Sequence, residues 1–161
     1  MNTKKLTTLS LCTTFALLLS YVESLIPLSL AIPGIKMGLA NVAVLFVLYK
    51  IGIKEAFAVS LLRVLLANLL FGTAVTWLYS ISGALASLLL MAFLKKAKLS
   101  PLGVSVPGAV MHNVAQIFVA VLLLGAGAIF AYLPTLILSG TVCGVLIGIL
   151  SALLVKKVRL P

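Results

Sequence analysis

The sequence predicts an all-α, polytopic membrane protein. It reads as a single transmembrane domain, 1–161, built as a six-helix bundle with both termini cytoplasmic. Three observations carry this. Hydrophobic residues make up 63% of the chain and charged residues 9%, where a soluble domain carries about 25% charged. Apolar runs recur at lengths near the roughly 20 residues that cross a hydrocarbon core about 30 Å thick. The basic residues gather in four short clusters between or beside those runs.

The elements follow in chain order. Helix 1 is expected from Leu6 to Ile26, broken only by small polar residues and Glu23. This run is too long for the apolar segment of a signal peptide, about 7–15 residues, so it reads as the first span despite Lys4 and Lys5 ahead of it. The stretch Pro27 to Gly34 is apolar but holds two prolines, which argue against a continuous helix. It reads as a membrane-facing loop or a cap over a cavity. Helix 2 is expected from Ile35 to Tyr49, followed by the basic turn Lys50 to Lys54. Helix 3 runs from Glu55 to Phe71 and helix 4 from Thr73 to Leu94, with Gly72 and Thr73 as an uncharged hinge. Lys95, Lys96 and Lys98 lead into a loop at Ser100-Pro101. Helix 5 covers Leu102 to Leu124. Helix 6 covers Pro134 to Val155, its proline suited to a first helical turn.

The distribution of charge orients the bundle. With the N-terminus inside, the inner segments hold Lys4 and Lys5, Lys50 and Lys54, Lys95, Lys96 and Lys98, and Lys156, Lys157 and Arg159. The outer segments hold Lys36 alone, and Arg63 lies within helix 3. This alternation fits an even number of spans with both ends in the cytoplasm. Five spans would put a basic cluster on the wrong side. The net charge of +10 therefore reads as topology signals facing anionic lipid. No basic face that tracks phosphates is present, so no nucleic-acid partner is expected.

Polar groups inside the spans are the candidate functional residues, because hydrocarbon offers them no partner. Arg63 is the most expensive, at about 2.5–3.5 kcal/mol on insertion scales. Its neighbours at helical spacing, Ser60 and Ala67, are small and suit a cavity wall. It either binds an anionic substrate or is structural, paired with backbone carbonyls or Glu23 or snorkelling to an interface. Helix 5 carries His112, Asn113 and Gln116, with Gly108 one turn before His112 on the same stripe. These three either hydrogen-bond a ligand or hold helices together, the latter at about 0.6 kcal/mol per bond. Asn41 and Asn68 read first as helix–helix hydrogen bonds, and Glu23 as hydrated near the outer end of helix 1.

Small residues four apart mark close helix approach. One stripe is Gly140, Gly144, Gly148 and Ala152. Another is Thr8, Cys12, Ala16, Ser20 and Ser24. For either helix alone, packing within the bundle is the expected use. The sequence contains no Asp and two Glu, too few oxygen ligands for the Mg²⁺ ions that hold a diphosphate. No phosphate-binding GxxxxGK[ST] occurs, and the lone His112 has no acidic residue to orient it for nucleophilic catalysis. Cys12 and Cys143 lie in apolar runs and are expected as small hydrophobes, with no disulfide and no zinc site. No catalysis, metal or cofactor is expected of this chain.

Three motifs carry a resemblance. The run Ile32-Pro33-Gly34-Ile35-Lys36-Met37-Gly38-Leu39-Ala40-Asn41 is similar to a PG-K-GLAN signature. Ser60 to Leu66 and Gly108 to Gln116 resemble the helix 3 and helix 5 motifs of the same bacterial family, known both as heptaprenyl diphosphate synthase component I and as Gx transporter. Its topology in turn resembles the substrate-binding S components of energy-coupling-factor transporters. That resemblance implies a shared coupling subunit and an ATPase pair as partners, with the coupling subunit docked on the helix 1 stripe. The expectation is a substrate-binding subunit in the bacterial cytoplasmic membrane. Its ligand would lie under the Pro27 to Gly34 loop, near Lys36, Asn41, Arg63, His112, Asn113 and Gln116, and Lys36 and Arg63 would attract an anionic group. The rival expectation is a membrane accessory of polyprenyl diphosphate or isoprenoid quinone synthesis, in which the same residues hold a diphosphate headgroup.

Overall fold

A computed structural model describes residues 3–25, 38–125 and 127–158. Among them are six α-helices and no strand: α1 (Thr3–Leu25), α2 (Asn41–Lys50), α3 (Ile53–Phe71), α4 (Ala74–Lys96), α5 (Pro101–Leu124) and α6 (Leu133–Lys157). A short 3-10 helix, Gly127–Tyr132, precedes α6. The stretch 26–37, with the proposed cap Pro27 to Gly34 and Lys36, lies outside the described residues.

Local chemistry sets the helix ends. Thr73 caps α4 in a reciprocal box with Thr76. Ser100 caps α5 through the Gly103 N–H, and Pro101 occupies the first turn. Gly125 closes α5 in the left-handed conformation, φ +63°, where a Cβ would be penalised. Helix 2 begins later than the Ile35 expected. Gly38 adopts φ +71°, and Leu39 and Ala40 form a turn ahead of Asn41. A left-handed residue cannot continue a right-handed helix, so α2 is only 10 residues long.

α2 is the centre of the bundle. Val42 through Leu48 are all buried, so the helix is apolar on every side. It packs against α1, α3, α5 and α6. α5 lies between α4 and α6 and makes its largest contacts with both. The α6 glycine stripe turns inward onto α5. A Cβ on Gly144 would lie 2.8 Å from Val106 Cα, and one on Gly148 would lie 2.9 Å from Leu102 Cα. Only a missing side chain allows such an approach. On α1, Ala16 is fully buried with Ala40 and Ala43, and Cys12 packs on the main core. The middle of that stripe is therefore occupied within the bundle.

The lysines collect at one end. Lys5 of α1 pairs with Glu55 in the first turn of α3. Lys95 at the end of α4 donates to the Leu48 carbonyl near the end of α2 and sits 5.6 Å from the Tyr49 ring centroid. Tyr49 donates to Leu99 O at 2.6 Å. The starts of α1, α3 and α5 and the ends of α2, α4 and α6 thus share one face. At the opposite end, Tyr21 of α1 meets Phe71 of α3, ring centroids 6.0 Å apart.

The outside of the bundle is apolar. On α1, Leu11, Phe15, Leu18, Val22 and Leu25 form an exposed stripe, and α6 exposes Leu138, Val142, Leu146 and Leu150. Water would not tolerate this surface, and lipid does. Four helical stretches, Thr3–Leu25, Thr76–Lys96, Pro101–Leu123 and Gly127–Lys157, are long and apolar enough to cross a membrane. The chain is an all-α membrane protein. α3 has 19 residues but carries Lys54, Glu55 and Arg63. α2, about 15 Å long at 1.5 Å per residue, is about half as long as a hydrocarbon core is thick.

Candidate functional site

The short α2 creates a polar level inside the bundle. α2 ends at Lys50 on the lysine-rich face, and α3 begins at Ile53. In this antiparallel hairpin, Asn41 lies nine residues before the turn and Arg63 ten residues after it. The two therefore meet at one height. Arg63 Nη2 donates to Asn41 Oδ1 at 3.3 Å, a long hydrogen bond. Arg63 Nε is buried without a hydrogen-bond partner among the described residues.

Beside this pair lies a cavity of about 40 Å³, room for a few water-sized groups. α1 contributes Glu23, the turn before α2 contributes Gly38, and α2 and α3 contribute Asn41 and Arg63. α5 supplies Ala109, His112 and Asn113, and α6 supplies Gly140, Cys143 and Ile147. Glu23 Oε1 accepts the Gly38 N–H at 2.6 Å. Among the described residues no ion pair joins Glu23 to Arg63.

Helix 5 reaches the cavity because glycines on both sides let it in. The His112 ring lies against Gly83 of α4, where a Cβ would be 2.9 Å from Cε1 and Nε2. Asn113 is buried and donates from Nδ2 to Leu136 O of α6 at 2.8 Å. A Cβ on Gly140 would lie 2.9 Å from the same Nδ2. Asn113 thus ties α5 to α6 while lining the cavity.

Of the residues singled out from the sequence, the structure brings Asn41, Arg63, His112 and Asn113 together around one space. Gln116, one turn further along α5, is partly buried and is not part of that wall. Lys36 lies outside the described residues. Ser60 is buried, and neither it nor Ala67 reaches the cavity. Asn68 has a structural task at the α3–α4 corner, donating to Val64 O at 2.8 Å and accepting from Thr76 Oγ1 at 3.2 Å.

Sequence reasoning missed Glu23, Gly38 and Cys143 as wall residues. Glu23 had a signal, since it is one of two acids in the chain. Its solvated position near a helix end seemed to explain it. For Gly38 and Cys143 no spacing points to the site, because their contribution depends on how α2 and α6 cross.

Chemically, the wall offers a guanidinium, a carboxylate, an imidazole, two amides and a thiol. Among the described residues no group of three or more His, Cys, Asp or Glu stands close enough to hold a metal ion. The space suits recognition of a small polar group. No curated protein and no solved structure matches this chain. The sequence pattern of the family described as heptaprenyl diphosphate synthase component I matches residues 12–154, which include every described residue of the cavity wall. The chain belongs to that family.

Proposed function

We propose that this chain is a substrate-binding membrane subunit of a small-molecule transporter in the bacterial cytoplasmic membrane. It would cross that membrane six times with both termini inside, and partner ATPase subunits would supply the energy. The observation that carries this reading is Arg63. Its guanidinium sits about 15 Å along α3 at 1.5 Å per residue, beside a cavity, with Nε unmatched and no ion pair to an acid among the described residues. A charge kept at such depth is expensive and is rarely idle. The lysine-rich face at the other end supports the orientation, with the cavity toward the outer half. The wall's guanidinium, carboxylate and amides are the groups that a small polar ligand would meet.

A second reading is favoured by the family description itself. In it the protein is a membrane accessory of polyprenyl diphosphate synthesis, and the Arg63 cavity holds a diphosphate headgroup. Mild-detergent purification of the tagged full chain from its own cells separates the two. A coupling subunit with an ATPase pair supports transport. A soluble prenyl synthase as the stoichiometric companion would overturn it.

A further inference from the structure

Arg63 and Glu23 line one cavity yet are kept apart. In a low-dielectric interior, opposite charges attract strongly and normally close on each other. Here the turn that opens α2 holds each of them by a separate hydrogen bond. Gly38 at its start gives its N–H to Glu23 at 2.6 Å. Asn41 at its end gives Oδ1 to Arg63 at 3.3 Å. The Asn41 N–H to Gly38 O bond, 2.8 Å, closes the turn. Gly38 itself is left-handed, a conformation that glycine adopts without a Cβ penalty.

We infer that the ligand of this cavity is a small zwitterion, with its anionic group on Arg63 and its ammonium group on Glu23. This rests on the reading of the cavity as a binding site. The physical reason is charge balance in a site of low dielectric. Arg63 and Glu23 together carry no net charge. A zwitterion adds none and satisfies both groups. A bare anion would satisfy Arg63, leave Glu23 unmatched and repel it. A diphosphate, with more than one negative charge, would do so more strongly. The cavity, about 40 Å³, has room beside the two charges for small polar groups.

Cys143 in the wall provides a reporter. In a Cys12→Ala background, the full chain in nanodiscs is treated with methyl methanethiosulfonate, and modification of Cys143 is timed by mass spectrometry. A thermal melt is recorded alongside. The probes are matched in size: β-alanine as zwitterion, propionate as anion and propylamine as cation, with pyrophosphate added. At ten times its dissociation constant a ligand leaves free roughly a tenth of the sites, so β-alanine should slow the reaction about tenfold and raise the melting temperature. Propionate, propylamine and pyrophosphate should do neither. Glu23→Gln keeps an acceptor for the Gly38 N–H and removes the charge, so it should transfer the response from β-alanine to propionate. If propionate or pyrophosphate protects the unaltered site as well as β-alanine does, the zwitterion is wrong while the binding site stands. If no probe changes either readout, in the parent or in Glu23→Gln, the binding site falls with it.

Discussion

Arg63 and Asn41 are the facing residues of the α2–α3 hairpin, joined by a 3.3 Å hydrogen bond from Nη2 to Oδ1. Their meeting follows from their near-equal spacing from the turn between Lys50 and Ile53, where α2 and α3 fold back on each other.

This pair makes a prediction about competition. Asn41→Asp replaces a neutral acceptor by a carboxylate at hydrogen-bond distance from the guanidinium. The fold should survive, since the new pair is satisfied internally. Arg63 would then be neutralised from within, and any anionic group should bind more weakly, by about tenfold or more. Asn41→Leu, in contrast, strands the buried donor and should lower stability by about 1–3 kcal/mol. Melting curves in detergent and ligand titrations on both variants check this. Unchanged binding by Asn41→Asp would remove Arg63 from the ligand site.

The glycine face of α6 makes a packing prediction. Gly144→Leu must push α6 away from Val106 and Ala109 of α5, because even its Cβ would sit at 2.8 and 3.1 Å. Overpacking of this kind costs about 1–3 kcal/mol or more. Yield and detergent melting temperature should drop sharply. Val142→Leu, on the exposed side of the same helix, should change neither. Equal stability of the two variants would show that the α5–α6 interface is not close-packed.

Gly83 couples α4, which is absent from the wall, to the cavity. A methyl group there would meet the His112 ring at 2.9 Å. The ring can turn aside more easily than backbone can, so Gly83→Ala should cost under about 1.5 kcal/mol of stability yet displace His112 in the wall. Ligand response should fall, while melting without ligand stays close to that of the parent. Gly83→Ala with full ligand response would show that His112 only fills space.

Topology is tested at exposed positions on the two faces. In a background lacking Cys12 and Cys143, single cysteines at Lys54 and Ala97 lie on the lysine-rich face. A single cysteine at Thr73 lies on the opposite face. In intact cells a membrane-impermeant thiol reagent should label Thr73→Cys and spare Lys54→Cys and Ala97→Cys. The reverse pattern would invert the bundle and put the cavity toward the cytoplasm.

Several features are local and were legible directly. Each helix boundary set by a cap or a proline, such as Ser100-Pro101 and Pro134, depends on neighbours in sequence. The six helices, their lipid-compatible composition and the gathering of lysines between them follow from hydropathy and spacing, which survive without knowledge of packing. The packing use of the Gly140–Gly148 stripe was likewise legible, because a repeat of four residues lies on one helix face whatever faces it. The polar residues Asn41, Arg63, His112 and Asn113 stood out because hydrocarbon makes each of them costly.

Tertiary structure decided what those residues share. One left-handed glycine, Gly38, set the start of α2 and gave its N–H to Glu23, while the tight α2–α3 turn held Asn41 at the level of Arg63. The crossing of α6 over α5 turned Asn113 toward Leu136 and put Cys143 in the wall. α1 and the α2 turn brought in Glu23, whose apparent solvation at a helix end concealed it. Sequence specifies which groups are expensive in lipid through single-residue chemistry. Which of them satisfy one another is a property of distances between helices, and those are set by packing contacts far apart in the chain.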